Sequence, residues 1–274
     1  MNRATLAALD LPFRMGATSY VIPGDLLENA AYLATRVEDM QLVLFDVPDG
    51  PCNVPGPDAV NELAKIGRRH DLSYTVHLIH DLVADDASHC SLHSARDVIT
   101  RTRGLAPHAY VLHLEGKAVR NLPPSSERFV QWQRAQAQIL RAVGSWAGNS
   151  ARLAVENLEG YRPDFVAHAA AAAGACRCID VGHLWLDGHD PLPYLATHLP
   201  HARVIHLHGV RQGPDGRQDH CSLTHTPSAQ LDAVIDILLR CGFGGIVTLE
   251  VFEQPDFDSS LEAIVASVKR IRRS

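Results

Sequence analysis

The sequence predicts a single (β/α)8 TIM barrel, an α/β fold with one domain over residues 1–274. Three observations carry this. Eight short β-rich runs alternate with eight helix-like segments. The β-rich runs are near-continuous apolar stretches, as a parallel sheet covered by helices requires. No linker or composition break interrupts the eight units, and a chain of this length suits one closed barrel.

In chain order, the strands are read at 15–21, 41–46, 73–79, 109–115, 152–157, 178–182, 203–208 and 246–252. The helices that follow them are read at about 25–36, 58–69, 91–103, 127–146, 164–173, 191–198, 228–241 and 259–272. Helical periodicity is clearest at the end, where Leu231, Val234, Ile235 and Leu238, then Leu261, Ile264, Val265 and Val268, recur on one face. The longest connections after strands fall at 80–90, 116–126 and 209–227. They should form the barrel's mouth, where such folds place their sites.

Composition narrows the function classes. Hydrophobic residues make up 46% and charged residues 20%, as in an ordinary soluble protein. The formal charge is −6, and the one basic run, Lys269-Arg270-Ile271-Arg272-Arg273, ends a helix, where cations suit the dipole. Nucleic acid is therefore not an expected partner. Residues 1–12 lack the apolar core of a secretory signal, and no apolar stretch approaches the ~20 residues that span a bilayer. A cytoplasmic location with no membrane partner is expected. The six cysteines form no C-x-x-C pair and are read as buried small hydrophobes, not as a disulfide framework. Histidine stands out: 16 residues, more than the 7 Phe and 6 Tyr together.

Strand side chains alternate, so every second residue points into the barrel. Under that rule the third strand contributes His77, the fourth His113 with Glu115 on the same face, and the fifth Glu156. The sixth contributes Asp180, with His183 just past its end; the seventh His206 and His208; the eighth Glu250. Buried singly, each could be a hydrogen-bonded core polar group. Together they would carry a large desolvation cost unless a cation neutralised them. A His/Asp/Glu mixture suits divalent Zn, Mn, Fe or Co. The candidates exceed the three or four ligands of one ion, so two or three ions sharing a bridging carboxylate are expected, an arrangement suited to phosphoester hydrolysis.

The order and strand positions of His77, His113, Glu156, Asp180, His183, His208 and Glu250 resemble the xylose isomerase-like superfamily, which includes sugar isomerases, epimerases and the endonuclease IV type of apurinic endonuclease. The endonuclease pattern implies one ion on His77, His113 and Glu156, a second on Glu156, Asp180, His208 and Glu250, and a third on His183 and His220 with Asp219. That pattern has an Asp-x-His pair, where this chain has Asp219 directly before His220. His206 shares a strand face with His208, and alternation does not choose between them as the ligand.

Further stretches are similar to the CbiR family of cobamide-remodelling phosphodiesterases. They are Gly16-Ala17-Thr18-Ser19-Tyr20-Val21-Ile22-Pro23, Leu42-Val43-Leu44-Phe45-Asp46, Thr75-Val76-His77-Leu78, Ala154-Val155-Glu156-Asn157-Leu158-Glu159-Gly160-Tyr161, Asp180-Val181-Gly182-His183-Leu184-Trp185 and Val204-Ile205-His206-Leu207-His208-Gly209-Val210. The resemblance implies a cobamide as small-molecule substrate, cleaved at the phosphodiester of its nucleotide loop. Glu156 and Glu250 are then the candidate catalytic carboxylates that orient water. Glu115 is either an acid–base group or a partner of Lys117 or a histidine. Lys117, Arg120 and Arg211 on mouth loops are candidate phosphate contacts, and Tyr161 and Trp185 could pack against a flat macrocycle. The rival readings are a sugar isomerase or epimerase, which needs only one ion, an apurinic endonuclease, which needs a basic groove, and a non-catalytic binding barrel.

Overall fold

Eight parallel strands close on themselves in the computed structural model, which describes residues 3–84, 89–214 and 216–273. The barrel strands are β1 (Arg14–Thr18), β2 (Asp39–Val43), β3 (Ser73–His77), β4 (Tyr110–Leu112), β5 (Leu153–Glu156), β6 (Cys176–Asp180), β7 (Ala202–Leu207) and β10 (Ile246–Leu249). A two-stranded antiparallel hairpin, β8 (Gly209–Gly213) and β9 (Gly216–Cys221), sits outside the barrel after β7. Each barrel strand pairs with the next one in the chain, and β10 closes the ring against β1.

The register explains both cores. Glu156 lies beside Cys178, and Asp180 beside His206. Alternate residues therefore face inward at matched heights. Low in the barrel these are small or apolar: Val111, Ala154, Cys178 and Val204 form a cluster of their own with Ala109. One step up are the histidines and carboxylates. The outward set, such as Val155, Ile179, Ile205 and Val247, belongs to the larger core shared with the surrounding helices.

Local chemistry fixes the helix ends. Asp25 and Glu28 form a capping box at the helix Leu26–Leu33, and Ser126 caps Glu127–Trp146. His89, one of the histidines given no role in the sequence, caps Cys90–Thr102. The basic C-terminal run is structural, as expected: Arg270 pairs with Asp232 of the preceding helix at 2.7 Å.

The barrel matches expectation, and the differences lie at strand ends. β4 stops at Leu112, so His113 stands just beyond it; the chain turns there to bridge Leu114 to Leu82. β1 ends at Thr18 instead of residue 21. A short helix, Val181–Leu186, follows β6 because Asp180 caps it, accepting the His183 N–H at 2.6 Å. The segment expected as a loop at 209–227 is largely the β8–β9 hairpin, which closes through Gly216 at φ 117°, where glycine is favoured. The last helix, Gln254–Ile271, begins five residues earlier than periodicity suggested (254 against 259), with a proline in its first turn. Of the loop expected at 80–90, residues 85–88 lie outside the described residues. All six cysteines are free, and only Cys178 and Cys221 are buried; Cys52, Cys90 and Cys241 are exposed, which corrects their reading as core residues. Among the described residues, no helix is long and apolar enough to cross a membrane.

Candidate metal centre

The inward residues of β3 to β10 converge at the barrel's C-terminal end into overlapping groups, three of them built of His, Asp and Glu alone: His77, His113 and Glu156; Glu156, Asp180, His206 and Glu250; and His183, His208 and His220. Within each group the ligand-type atoms lie within 4.8 Å of one another. Glu156 divides its oxygens. Its Oε2 faces His77 Nε2 at 3.3 Å and His113 Nε2 at 3.2 Å, and its Oε1 faces His206 Nδ1 at 3.2 Å. A carboxylate so placed can bridge two ions.

The structure brings His206 into the central group, where the pattern put His208. His206 Nδ1 is 3.0 Å from Glu250 Oε2 and 3.6 Å from Asp180 Oδ2. His208 instead lies with its ring stacked on His220, centroids 4.3 Å apart, and its Nε2 3.2 Å from Asp180 Oδ1. Close approach of the His208 ring requires Gly182, since a Cβ there would fall 2.1 Å from it. His220 adopts a left-handed backbone, φ 50°, a conformation uncommon for a non-glycine residue and frequent where a site over-determines it. Asp219 joins none of the three groups. It meets the outer ring nitrogen of His220, Nδ1, at 3.3 Å.

Most rings are fixed from behind, leaving the other nitrogen aimed inward. His113 Nδ1 bonds Asp81 Oδ1 at 3.1 Å, His77 Nδ1 the Leu78 carbonyl at 2.9 Å, and His183 Nδ1 the Asn157 carbonyl at 3.1 Å. Such outer partners set ring orientation and tautomer. Gln41 does this for His206. Its amide donates to Glu250 Oε1 at 3.2 Å, so its carbonyl oxygen meets His206 Nε2 at 2.8 Å; that nitrogen carries the proton and leaves Nδ1 to act as a ligand.

Without an ion the cluster balances itself with protons. Burial works to raise the carboxyls of Glu156 and Glu250, but neighbouring histidines, His206 foremost, outweigh it and hold both well below their usual range. Asp180 is likewise held down to about 2, burial being overcome by His183 and His208. Burial pulls His113 down, and the hydrogen bonds it donates to Asp81 and Glu156 reverse this and push it up to about 10. The residues fit divalent ions on a separate observation: Asp180 Oδ2 is fully buried, has no hydrogen-bond partner and faces the central group. Mixed imidazole and carboxylate donors suit Zn, Mn, Fe or Co.

A cavity of about 460 Å³ opens above the groups, lined by Lys117, Tyr161, Asp81, Glu159, Asp219 and Phe252 among others. Lys117 and Tyr161 thus line the cavity, as the sequence reading expected of a substrate wall. Trp185 does not: it is buried in the main core, away from this lining. Arg211 sits on the hairpin, donating to Gln218 Oε1 at 2.8 Å, and Arg120 is exposed; neither lines the cavity. Glu115 accepts the Lys117 backbone N–H at 2.8 Å and so shapes its own loop. Sequence reasoning missed Gln41 and Asp81. Gln41 carried a readable signal, a polar residue at an inward strand position; Asp81, on a loop, had none.

The chain belongs to the xylose isomerase-like TIM barrel family, whose model matches residues 37–273. Its structure is similar to that of a D-tagatose 3-epimerase-like protein, with TM-score 0.74 and 16% identity over 95% of this chain and 99% of that one. A xylose isomerase domain protein from Planctomyces limnophilus gives TM-score 0.67 and 14% identity over 96% and 99%. The 3-keto-D-glucoside 4-epimerase YcjR from E. coli gives 0.61 and 14% over 96% and 100%. At such identities the likeness is one of fold. No curated protein matches it in sequence.

Proposed function

We propose that this chain is a cytoplasmic, metal-dependent phosphodiesterase that hydrolyses the nucleotide-loop phosphodiester of cobamides. The products would be an α-riboside such as α-ribazole and cobinamide phosphate, for cobamide remodelling. One observation carries the hydrolase reading: two further ligand groups flank the tetrad of Glu156, Asp180, His206 and Glu250. Sugar epimerisation at a single ion needs only the tetrad. Two or three ions suit a phosphodiester, whose charge and poor leaving group both have to be handled. The cobamide as substrate rests on the sequence stretches that resemble the CbiR family.

In such a site bound divalent ions supply charge withdrawal from the phosphoryl oxygens and make water a better nucleophile. The chain's own residues position the reactants. Glu156 and Glu250, held in the charged form, orient the attacking water, whose proton passes to solvent. Lys117, exposed at the cavity's edge, attracts the phosphate from solution. Tyr161 forms part of the wall. In balance, water's oxygen bonds to phosphorus, the phosphorus–ribose oxygen bond breaks, and the ribose oxygen leaves with a proton.

The second reading, a sugar epimerase or isomerase, is favoured by the tetrad taken alone. The test is to incubate the metal-supplied protein with adenosylcobalamin, with abasic duplex DNA and with ketohexoses. Release of α-ribazole with cobinamide phosphate is expected. DNA cleavage or ketose interconversion in its place would overturn the assignment. Metal analysis should find more than one ion per chain.

A further inference from the structure

Among the described residues, three large hydrophobic side chains are exposed: Tyr20 at 36%, Val47 at 46% and Phe252 at 41%. Soluble proteins expose single apolar residues freely, but these are not scattered. Each follows the mouth end of a barrel strand, β1, β2 and β10 respectively, and those three strands are neighbours in the ring. The loops are laced together. Thr18 Oγ1 donates to the Val251 carbonyl at 2.6 Å, and the Val43 N–H donates to Ser19 Oγ at 3.0 Å. The Tyr20 ring lies 6.2 Å from that of Phe45. Phe252 stacks on His220, centroids 5.2 Å apart, and lines the metal cavity together with Val43.

The mouth is thus two-sided. Over β3 to β5 it presents Asp81, Lys117 and Glu159, and over β10, β1 and β2 it presents an apolar shelf of three exposed side chains beyond neighbouring strand ends, of which Phe252 also lines the cavity. We infer that Tyr20, Val47 and Phe252 form a substrate subsite that receives a large apolar flank of the molecule whose phosphodiester is cleaved. The argument is continuity. Phe252 touches both the metal-bearing cavity and solvent, so a substrate long enough to leave the cavity on that side lies on the shelf. A small sugar would end inside the cavity, and duplex DNA would meet no positive charge there.

This subsite rests on the phosphodiesterase reading, and its test separates the two. The double variant Tyr20→Ser/Val47→Ser, which leaves the cavity lining intact, is compared with the unmodified chain on two substrates, cyanocobalamin and the small diester methyl p-nitrophenyl phosphate, with metal content measured on both proteins. For the cobamide, KM should rise about tenfold or more, matching the loss of apolar burial by two part-exposed side chains. Turnover of the small diester and metal content should stay within about twofold of the unmodified chain, and Tyr20→Phe/Val47→Ile should restore KM. Equal effects on both substrates, or none on either, overturn the subsite. If the unmodified chain cleaves neither substrate, the phosphodiesterase reading fails by itself. The shelf is then decided by 8-anilinonaphthalene-1-sulfonate fluorescence, which the double variant should abolish; undiminished fluorescence overturns it. A dimer of the unmodified chain that the double variant dissociates also overturns it, by making the shelf a subunit contact.

Discussion

Asp39 and Asp180 are both fully buried aspartates on barrel strands, and they ionise in opposite directions. Asp39 opens β2 at the closed end, where it accepts from Ser73 Oγ at 2.7 Å. Burial pushes its carboxyl up to about 6, and the Ser73 and Thr75 hydroxyls and the Arg14 charge only moderate this. Asp180 ends β6 at the mouth, among His183, His206 and His208, and is held down to about 2. Desolvation is the same in kind at both ends; the imidazoles make the difference. One end of the barrel resists ionisation of its carboxyl. The other is built to keep carboxylates charged, which a cation site needs.

The strongest way to break that contrast is Glu156→Gln, which keeps shape and removes charge from the residue shared by two groups. Metal per chain, measured by elemental analysis, should fall to one ion or none, with phosphodiester cleavage at background. Full metal retention would show that Glu156 bridges nothing.

Acidity offers a second, slightly smaller effect. In the metal-free protein His113 is raised to about 10 and His220 to about 9, burial being outweighed by Asp81 and Glu156 in one case and by Glu250 in the other. An ion must displace these protons, so binding releases them and tightens as pH rises. An ordinary histidine site would level off above about 7. Here apparent affinity should keep climbing to about pH 9, by up to about tenfold per unit for each proton displaced. Chelator competition at pH 6 to 9 checks this, and a plateau at 7 would mean the rings are neutral before metal arrives.

Gln41→Leu probes the support instead of the ligands. It frees His206 Nε2 and strips a donor from Glu250, so metal affinity should fall about 10- to 100-fold. The fold should survive, since Leu matches the apolar neighbours of β2. An unchanged affinity would mean the His206 ring is held by the cluster alone.

Much of this was legible in the sequence because barrel geometry is periodic. Alternation along each strand selected His77, His113, Glu156, Asp180, His206, His208 and Glu250, and all of them converge. The same rule could not rank His206 against His208, because both face inward and only their heights differ: β7 ends at Leu207, leaving His206 within the barrel and His208 beyond it. His220 came from the resemblance, since no strand periodicity reaches a hairpin. Two expected substrate contacts that do not line the cavity, Trp185 and Arg211, share one cause. Both lie in segments read as open loop that are a capped helix and a hairpin, and regular structure turned one into the core and the other outward. Exposure of Tyr20, Val47 and Phe252 carries no sequence signal: Tyr20 and Phe252 read as strand residues, and Val47 falls in the connection just after the strand read at 41–46.

The mildest test acts on the other half of the contrast. Asp39→Asn removes a charge from the end that does not want one. With its carboxyl at about 6 folded against 3.8 unfolded, the folded state binds the proton more tightly. The aspartate therefore costs nothing below about pH 3.8, costs progressively more between there and 6, and a constant amount above. Asparagine keeps an acceptor for Ser73 Oγ and can offer a donor where Asp39 Oδ1 now has no partner. The gain in unfolding free energy should be near zero at pH 4 and about 1–2 kcal/mol at pH 8, discounted from the roughly 3 kcal/mol that a two-unit shift implies. Urea denaturation at the two pH values measures it. Metal content should not change, because Asp39 lies below the cluster and touches none of its members. A loss of stability at pH 8 would show that the ionised Asp39 is held favourably by Arg14, and the two ends of the barrel would then differ in which cation serves them, not in whether charge is tolerated.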